Sequence, residues 1–562
     1  MVKRVFNLMY KEIRGLHEAA YILAFFTFLS QLLALIRDRI FAHQFGASMT
    51  LDLYYTAFRI PDLLFVIFAS ILSVYVLIPF VAEARKKGGS VAVRALLSQV
   101  FSIFLFCYAL VAVLIAMFAY PITGLFFPGF MGPDQDMLVL LVRILLLQPL
   151  LLSISNLLGV ATQLSQRFIL YALSPILYNV GIIFGVVFLY PRFGLSGLVS
   201  GVLIGALMHV SIQIPFMRRE EIFPKLLFSF DTALLARIFE NSIPRALTLA
   251  LHQIVLLALL GVASIMAVGS VSVFQFAFNL QSVPLAIIGV SYSVAAFPTL
   301  ARMFTNGETE SFIAHVAAAL RHIFFWSIPA AALIIVLRAQ IVRVILGSGA
   351  FGWDDTRLTA AALAIFSISL AAQAVNLLIV RAFYAGGNTR TPLVVTLFSS
   401  IAALAFSLLL YITFVTTPAM REFIETLLRV RTVPGTEVLM LPLGYALALV
   451  AHTIVLLMFF MKRFQLQFWM FGMSFVQSLV AGVVAGTVAY LALNAFALGS
   501  ETDTAMRIFT QGFSAGILGI LSGGGAFFLM RSPEFTEACN AVHRRINKAT
   551  LVAPQQSDDM SV

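Results

Sequence analysis

The chain has 562 residues, of which 61% are hydrophobic and only 11% are charged. Its mean hydropathy is +0.99. A soluble fold cannot bury so much apolar surface, because the interior of a globular protein holds too few positions. This composition excludes a large soluble domain and indicates a chain that lies almost wholly within a lipid bilayer.

The formal net charge is +11, from 36 basic and 25 acidic residues. In a soluble protein this excess would suggest nucleic-acid binding. Here most basic residues stand in short connections between apolar segments, as in the cytoplasmic loops of membrane proteins. The two cysteines, Cys107 and Cys539, lie in an apolar segment and in the polar tail, and we expect neither a disulfide nor a metal site from them.

Fourteen apolar segments are long enough to cross a bilayer, since each crossing needs about 20 mostly apolar residues. They lie near 19–43, 53–83, 96–120, 137–162, 169–190, 195–217, 243–266, 271–300, 313–346, 357–384, 392–416, 439–461, 470–496 and 505–530. No cleavage site precedes the first segment, so we expect it to stay as an anchor. The predicted fold is an all-α polytopic membrane protein.

The charges of the loops predict the orientation of the chain. With a cytoplasmic N-terminus, the even-numbered loops carry the basic residues Arg85, Lys86, Lys87, Arg167, Arg218, Arg219, Lys225, Arg302, Arg390, Lys462 and Arg463. The opposite loops carry Asp134, Asp136, Asp354, Asp355, Glu501 and Asp503. The longer outer segment 417–438 mixes both signs, and we expect a short amphipathic helix there. Both termini are then cytoplasmic.

Related patterns recur in the two halves of the chain. Tyr55–Phe58 in the second segment resembles Gln275–Phe278 in the eighth, and Pro79 corresponds to Pro298. Such a parallel repeat predicts two six-helix lobes around a central substrate cavity. The expected divisions are a cytoplasmic N-terminal segment 1–18, an N-lobe 19–217, a cytoplasmic linker 218–242, a C-lobe 243–461, two further helices 462–530 and a cytoplasmic tail 531–562 that begins with a short basic helix.

No catalytic or nucleotide-binding motif occurs in the sequence: there is no Walker loop, no nucleophile elbow and no zinc-binding helix motif. We therefore expect no enzyme activity, no cofactor and no direct coupling to ATP. An ion gradient, the membrane potential or the flux of the substrate would supply the energy for transport.

The candidate functional residues are polar groups inside apolar segments, where a charge costs about 2.5–3.5 kcal/mol and usually faces a cavity or a partner. The densest cluster comprises Gln31, Arg37, Asp38, Arg39, Asp52, Arg59 and Asp62. A cavity role is favoured for Arg37 and Arg59. For Asp38, Arg39 and Asp62, a structural ion pair or snorkelling of a helix-end charge to the interface is equally consistent with the sequence. Further candidates are Arg143, Arg245, Asn279 and Arg381; snorkelling to the interface is the alternative for Arg245 and Arg381.

Several arginines with few carboxylates predict an anionic substrate. The guanidinium group stays protonated and donates paired hydrogen bonds to anionic oxygens, as a pyrophosphate offers. Six prolines interrupt the segments, where they would kink helices for alternating access or simply shape their packing. They are Pro61, Pro149, Pro175, Pro244, Pro284 and Pro329.

Over about residues 20–530 the chain resembles the MurJ (MviN) family of lipid II flippases, in the multidrug/oligosaccharidyl-lipid/polysaccharide exporter superfamily. The motifs that carry the resemblance are Ile36-Arg37-Asp38, Phe45-Gly46-Ala47, Asp52, Phe58-Arg59-Ile60-Pro61, Pro128-Gly129-Phe130, Gln166-Arg167-Phe168 with Pro175 and Asn179, Gly349-Ala350-Phe351, Arg381-Ala382-Phe383-Tyr384-Ala385 and Asn388-Thr389-Arg390-Thr391-Pro392.

The resemblance implies fourteen helices in two lobes around a V-shaped cavity. It also implies that undecaprenyl-pyrophosphate-linked peptidoglycan precursor moves from the inner to the outer leaflet of the bacterial cytoplasmic (inner) membrane. The residues that match the charges of the family's N-lobe are Arg37, Asp38, Asp52 and Arg59. The family usually has arginines where Gln31 and Asn279 stand, and Arg143, Arg245 or Arg381 would compensate for them.

Two other functions stay open at this point. One is a related polysaccharide-lipid flippase or a cation-coupled small-molecule antiporter of the same superfamily. An antiporter needs a titratable carboxylate in the membrane, and segments 3 to 12 contain few, which favours a lipid substrate. The other is a non-transporting membrane scaffold. The expected partners are a lipid-linked precursor, the membrane and cell-wall synthesis proteins, and not nucleic acid.

Overall fold

The computed structural model describes residues 16–72, 74–228, 231–497 and 504–549. Within these ranges the regular structure is entirely helical. The first half contains α1 Leu16–Phe45, α2 Met49–Ala57, α3 Arg59–Ile71, α4 Val74–Met117, α5 Ala119–Phe126, α6 Pro133–Leu145, α7 Leu147–Leu164, α8 Phe168–Phe184, α9 Tyr190–Ser211, α10 Ile214–Arg219 and α11 Thr232–Ser264.

The second half contains α12 Ser270–Leu285, α13 Ser291–Thr305, α14 Thr309–Ile345, α15 Trp353–Ile368, α16 Leu370–Ala385, α17 Arg390–Thr416, α18 Pro418–Leu428, α19 Met440–Phe464, α20 Trp469–Ala497, α21 Ala505–Leu529 and α22 Pro533–Ala549. Two π-helical turns, Gly185–Leu189 and Ala286–Val290, join α8 to α9 and α12 to α13. A 3-10 turn, Thr436–Leu439, precedes α19.

Eleven helices or joined helices of the described chain are long and apolar enough to cross a membrane, and α15 with α16, bent by 44°, makes a twelfth. In addition, α1 covers the first predicted segment, and the 52-residue stretch Phe168–Arg219 holds both the fifth and the sixth. The prediction of an all-α polytopic membrane protein is therefore confirmed. The count of fourteen crossings is compatible with these helices and stays a prediction.

Prolines set two of the helix boundaries. Proline has no backbone N–H, and its ring clashes with the carbonyl four residues earlier. Helix α2 ends at Ala57, four residues before Pro61, and α6 ends at Leu145, four residues before Pro149. The first break places Arg59 at the start of α3.

Glycines allow α8 and α9 to pack with their backbones in contact. A Cβ atom on Gly181 would lie 2.3 Å from the Cα of Gly205, and one on Gly201 would lie 2.3 Å from the Cα of Gly185. These pairings run in opposite directions along the two helices, so α8 and α9 are antiparallel. The chain reverses near Gly194, whose φ of +58° suits glycine.

The chain forms two compact units. Unit 1 comprises the chain up to Val283 together with Val342–Phe366 and Asn388–Val455, and unit 2 comprises Pro284–Ile341, Ser367–Gly387 and the chain from Leu456. This division does not test the predicted lobes at 19–217 and 243–461, whose boundaries stay a prediction.

Two predicted local elements are confirmed. Segment 417–438, which is predicted to be outer, contains the amphipathic helix α18, and the tail begins with the basic helix α22. The predicted outer residues Glu501 and Asp503 and the end of the tail, 550–562, lie outside the described residues.

Candidate functional site

A continuous line of hydrogen bonds within unit 1 begins at the charged pair on α1. The Nη2 and Nε atoms of Arg37 donate to Oδ1 of Asp38 at 2.8 and 3.0 Å. The other carboxylate oxygen of Asp38, Oδ2, accepts from Nδ2 of Asn279 on α12 at 2.9 Å. Both oxygens of Asp38 are therefore occupied, and this carboxylate positions Arg37.

The line continues from α12 to α3. The side-chain oxygen of Asn279 accepts from Nε2 of Gln275 at 2.6 Å. The oxygen of Gln275 in turn accepts from Nη2 of Arg59 at 2.6 Å. Since Gln275 and Asn279 are four residues apart, they share one face of α12 and join the two arginines. We call Arg37, Asp38, Asn279, Gln275 and Arg59 the arginine line.

A polar residue of α8 also contacts the arginine line. Nη1 of Arg37 donates to Oδ1 of Asn179 at 3.2 Å, and Nδ2 of Asn179 donates to the carbonyl of Pro175 at 3.1 Å and to the hydroxyl of Ser30 at 3.5 Å. Ser30 and Arg37 are seven residues apart and therefore lie on one face of α1. Helices α1, α3, α8 and α12 thus all contribute to this network.

Arg59, a member of the arginine line, has a hydrogen-bond donor that is not satisfied by the described residues. It is only 7% exposed, and its Nε has no hydrogen-bond partner in the described chain. Asp62, one turn along α3, interacts with it electrostatically. A buried donor without a partner costs free energy, more so when it is charged. An acceptor oxygen of a ligand at this position would satisfy the Nε donor of Arg59.

Asp52 lies apart from the arginine line and binds the start of α12. Its Oδ2 accepts from the backbone N–H of Gly269 at 2.7 Å, and its Oδ1 accepts from the N–H and the hydroxyl of Ser272 at 2.8 and 2.5 Å. First-turn N–H groups have no partner within their own helix, and a negative charge there is favourable. Asp52 thus anchors α2 to α12.

The remaining predicted residues are not brought into the arginine line. Gln31 is half-buried on α1, seven residues before Asp38. Arg143 is exposed, and its Nε donates to the carbonyl of Ala116 near the end of α4 at 3.0 Å. In unit 2, Arg381 donates to the hydroxyl of Ser293 at 2.6 Å. The side chain of Arg245 lies outside the described residues.

Gln275 and Asn179 belong to the network but were not among the favoured residues. Single amides in membrane helices usually form interhelical hydrogen bonds, so sequence alone gives them low priority. For Gln275, the signal available was its spacing of four residues from Asn279 in an otherwise apolar segment.

At the predicted outer end, the end of α1 contacts the end of α14 and the loop that follows it, within unit 1. The N–H of Ala350 donates to the carbonyl of His43 at 2.9 Å, and Arg39 Nη1 donates to the carbonyl of Val344 at 2.5 Å. Gly349 has a φ of +59°, and a Cβ there would lie 2.3 Å from the oxygen of His43. The Gly349-Ala350-Phe351 motif therefore permits a close backbone contact.

Comparison with known proteins identifies the family. The sequence model described as "Lipid II flippase MurJ" matches residues 41–509. This chain belongs to the MurJ family. The match includes Asp52, Arg59 and the α12 residues of the arginine line, and it begins three residues after Asp38.

Curated relatives agree with this assignment. A probable lipid II flippase MurJ from Buchnera aphidicola is 29% identical over 377 residues, which are 66% of this chain and 74% of the relative. One from Rickettsia prowazekii is 29% identical over 399 residues, 70% of this chain and 78% of the relative. The lipid II flippase MurJ of Burkholderia cenocepacia is 25% identical over 386 residues, 67% and 75% of the two chains.

Solved structures show the same fold. A lipid II flippase MurJ in an inward closed conformation superposes with a TM-score of 0.71 at 23% identity, over 90% of this chain and 99% of that one. An inward-facing multidrug resistance transporter of the MATE family reaches a TM-score of 0.62 at 16% identity, over 78% and 94%. At these identities the likeness concerns the fold alone. The chain is thus a multi-pass protein of the bacterial inner membrane in a transport family.

Proposed function

We propose that this protein moves lipid II, the undecaprenyl-pyrophosphate-linked peptidoglycan precursor, from the inner to the outer leaflet of the cytoplasmic membrane. Family membership over residues 41–509 supports the substrate class. The arginine line supplies the observation specific to this chain, because two arginines are held ready in a buried network.

Each member of the line has a role in this proposal. Arg59 contacts the pyrophosphate through its Nε donor, which has no hydrogen-bond partner among the described residues. Arg37 contacts the same anion from α1, and Asp38 and Asn179 hold its guanidinium group in place. Asn279 and Gln275 set the distance between the two arginines. Since an arginine stays protonated, the site keeps its affinity for an anion across the physiological pH range.

In this proposal, the contacts at the predicted outer end of the protein keep that end closed during one stage of transport. Asp52 with α12 and His43 with Ala350 hold the outer end shut while the substrate enters from the inner leaflet. Release to the outer leaflet requires these contacts to separate, as alternating access demands. An ion gradient, the membrane potential or substrate flux supplies the energy.

The orientation and the partners belong to the same proposal. The loop charges support cytoplasmic N- and C-termini and an outer position for segment 417–438. Cell-wall synthesis proteins that use the translocated precursor are the partners we infer. The predicted substrate residues Gln31, Arg143, Arg245 and Arg381 stay as candidates that assist the arginine line.

Complementation of a flippase-depleted strain tests the proposal. The wild-type chain is expected to restore growth and precursor export, and Arg37→Ala and Arg59→Ala are expected to insert normally but fail to export. Arg302→Ala is the matched control, because this exposed arginine lies in the last turn of α13 and is neither part of the arginine line nor a candidate substrate residue. Normal export by both the Arg37 and Arg59 variants would overturn the site assignment.

The same strain separates the other two functions. A small-molecule antiporter would give uncoupler-sensitive efflux in vesicles without restoring growth. A scaffold would restore neither export nor efflux, although the protein is inserted at normal levels.

A further inference from the structure

Helix α18 presents three distinct faces. Ile424 and Glu425 point into unit 1 and are only 8% and 7% exposed. Phe423 and Leu427, four residues apart on one side, are 66% and 65% exposed. On another side, Glu422 and Thr426 are exposed and polar. At 100° per residue the apolar and the polar exposed faces are separate sides of the helix.

The buried face is fixed by Glu425. Its Oε1 accepts from the hydroxyl of Thr436 at 2.7 Å and from Nε of Arg421 at 2.9 Å. Burial alone would raise the pKa of Glu425, but the hydrogen bonds from Thr436 and Arg421 and the charge of Arg421 hold the pKa below its ordinary value. The carboxylate therefore stays ionised and ties α18 to the turn before α19.

The end of α18 is fixed as well. The helix stops at Arg429, whose φ of +62° is left-handed. Nη2 of Arg357 on α15 donates to the carbonyl of Arg429 at 2.8 Å, and its Nη1 donates to the hydroxyl of Thr432 at 2.9 Å. Because α18 is held at its middle and at its end, Phe423 and Leu427 cannot turn inward.

The exposed apolar face of α18 follows, along the chain, an exposed apolar surface on α17. Helix α17 is long and apolar enough to cross the membrane, and Leu408, Leu409, Ile412 and Val415 are exposed along it. That apolar surface ends three residues before α18 begins at Pro418. A bilayer interface offers acyl chains to one side of a helix and water to the other, which matches the two exposed faces of α18.

We propose that α18 is an interfacial helix in the outer leaflet, with Phe423 and Leu427 at the acyl boundary and Glu422 and Thr426 in water. The helix is about 16 Å long at 1.5 Å per residue. It fixes the depth of the outer end of unit 1 where the transported lipid emerges. The outer location rests on the proposed orientation.

Nitroxide accessibility in nanodiscs of phosphatidylethanolamine and phosphatidylglycerol tests the proposal with the full chain. In a background with Cys107→Ser and Cys539→Ser, labels are placed one at a time by Phe423→Cys, Leu427→Cys and Thr426→Cys. Ile412→Cys on α17 is the lipid-facing reference. Collisions with oxygen and with a water-soluble nickel chelate are measured by power saturation.

We expect the labels at Phe423 and Leu427 to match the one at Ile412, with oxygen collisions dominant, and the label at Thr426 to show the reverse. The proposal is overturned if Phe423 and Leu427 are as open to the nickel chelate as Thr426. It is also overturned if both are shielded from both reagents, because a second copy or a partner protein would then cover them.

A separate arm tests the orientation. A membrane-impermeant thiol reagent is expected to label Thr426→Cys in intact spheroplasts. Labelling only after lysis would place α18 in the inner leaflet and contradict the outer location, while the collision data would still decide whether the helix is interfacial. Growth of the complemented strain shows independently whether each variant retains transport.

Discussion

The anchor formed by Asp52 gives a prediction that separates a structural role from a substrate role. The change is Asp52→Ala, with Asp52→Asn as the conservative variant. In the wild-type structure this carboxylate accepts three hydrogen bonds from two residues at the start of α12, and all three are buried. Alanine leaves two backbone N–H groups and one hydroxyl without their acceptor.

The magnitude follows from those three bonds. A buried donor left without a partner costs about 1–3 kcal/mol, and the lost negative charge at a helix N-terminus adds about 0.3–1 kcal/mol. Water that enters the gap reduces the sum, so we expect Asp52→Ala to lower the free energy of unfolding by about 3–5 kcal/mol. Asparagine keeps one acceptor but turns an NH₂ group toward another donor, so Asp52→Asn should cost about 1.5–3 kcal/mol.

The assay is the denaturation midpoint in mixed micelles with increasing dodecyl sulfate, combined with a double-mutant cycle using Ser272→Ala. The coupling between the two positions should be about 1–2 kcal/mol. Asp136→Ala is the control, because its exposed carboxylate lies in the first turn of α6 and should cost only about 0.3–1 kcal/mol. The reasoning is refuted if Asp52→Ala is as stable as this control, or if it keeps full stability while export is lost.

Three further variants test other parts of the structure. Gly201→Ala should destabilise the protein by about 1–3 kcal/mol or more, because the new Cβ would lie 2.3 Å from the Cα of Gly185. The control Gly525→Ala, whose Cβ would have open space around it, should be neutral or slightly stabilising. Equal denaturation midpoints for the two variants would contradict the close packing of α8 and α9. The carboxylate of Glu534 accepts hydrogen bonds from the hydroxyls of Ser474 at 2.7 Å and Ser532 at 2.8 Å. Burial alone would raise the pKa of Glu534, but these hydrogen bonds and the charge of Arg321 lower the pKa below the ordinary 4.5. A group whose pKa is lower in the folded state stabilises the fold at pH values above its unfolded pKa, so Glu534→Gln should lower the free energy of unfolding at pH 7. The difference in unfolding free energy between this variant and the wild type should shrink as the pH falls from 4.5 through the lower folded pKa. A difference that does not depend on pH would contradict this role of Glu534. In Gln275→Glu, the new carboxylate should pair with Arg59 and reduce export at unchanged protein level, while Gln275→Leu should reduce export less. The opposite order would argue against the Nε donor of Arg59 as the anion site.

Much of the fold could be predicted, because a helix that crosses a bilayer must be mostly apolar and long enough to span it. Within the described residues, every predicted apolar segment lies mostly in helix, although several are divided by short breaks. The break at Ser369 between α15 and α16 was not predicted, because neither proline nor glycine occurs there. The breaks after Ala57 and Leu145 follow directly from Pro61 and Pro149, by the missing backbone donor.

The site was predictable in its charges but not in its connections. Arg37 and Arg59 stood out because charges in hydrocarbon are costly, and both are part of the network. Asp52 carried the same signal, yet the structure uses it at a helix N-terminus 217 residues away from it in sequence. Such a long-range partner cannot be read from local spacing. Gln275 was identified only as part of the internal repeat and not as a site residue, because a neutral amide costs little to insert and gives no charge signal.

The affinity of the purified protein in nanodiscs for a lipid diphosphate, compared with its monophosphate analogue, tests the central claim most directly. Charged hydrogen bonds contribute about 1.5–3 kcal/mol, so the wild-type chain should prefer the diphosphate by about 10-fold to 150-fold. Arg59→Gln should remove most of that preference, with the remainder due to Arg37, and leave the monophosphate affinity nearly unchanged. An undiminished preference in Arg59→Gln, or an equal loss of affinity for both lipids, would contradict the assignment of Arg59 as the residue that contacts the pyrophosphate.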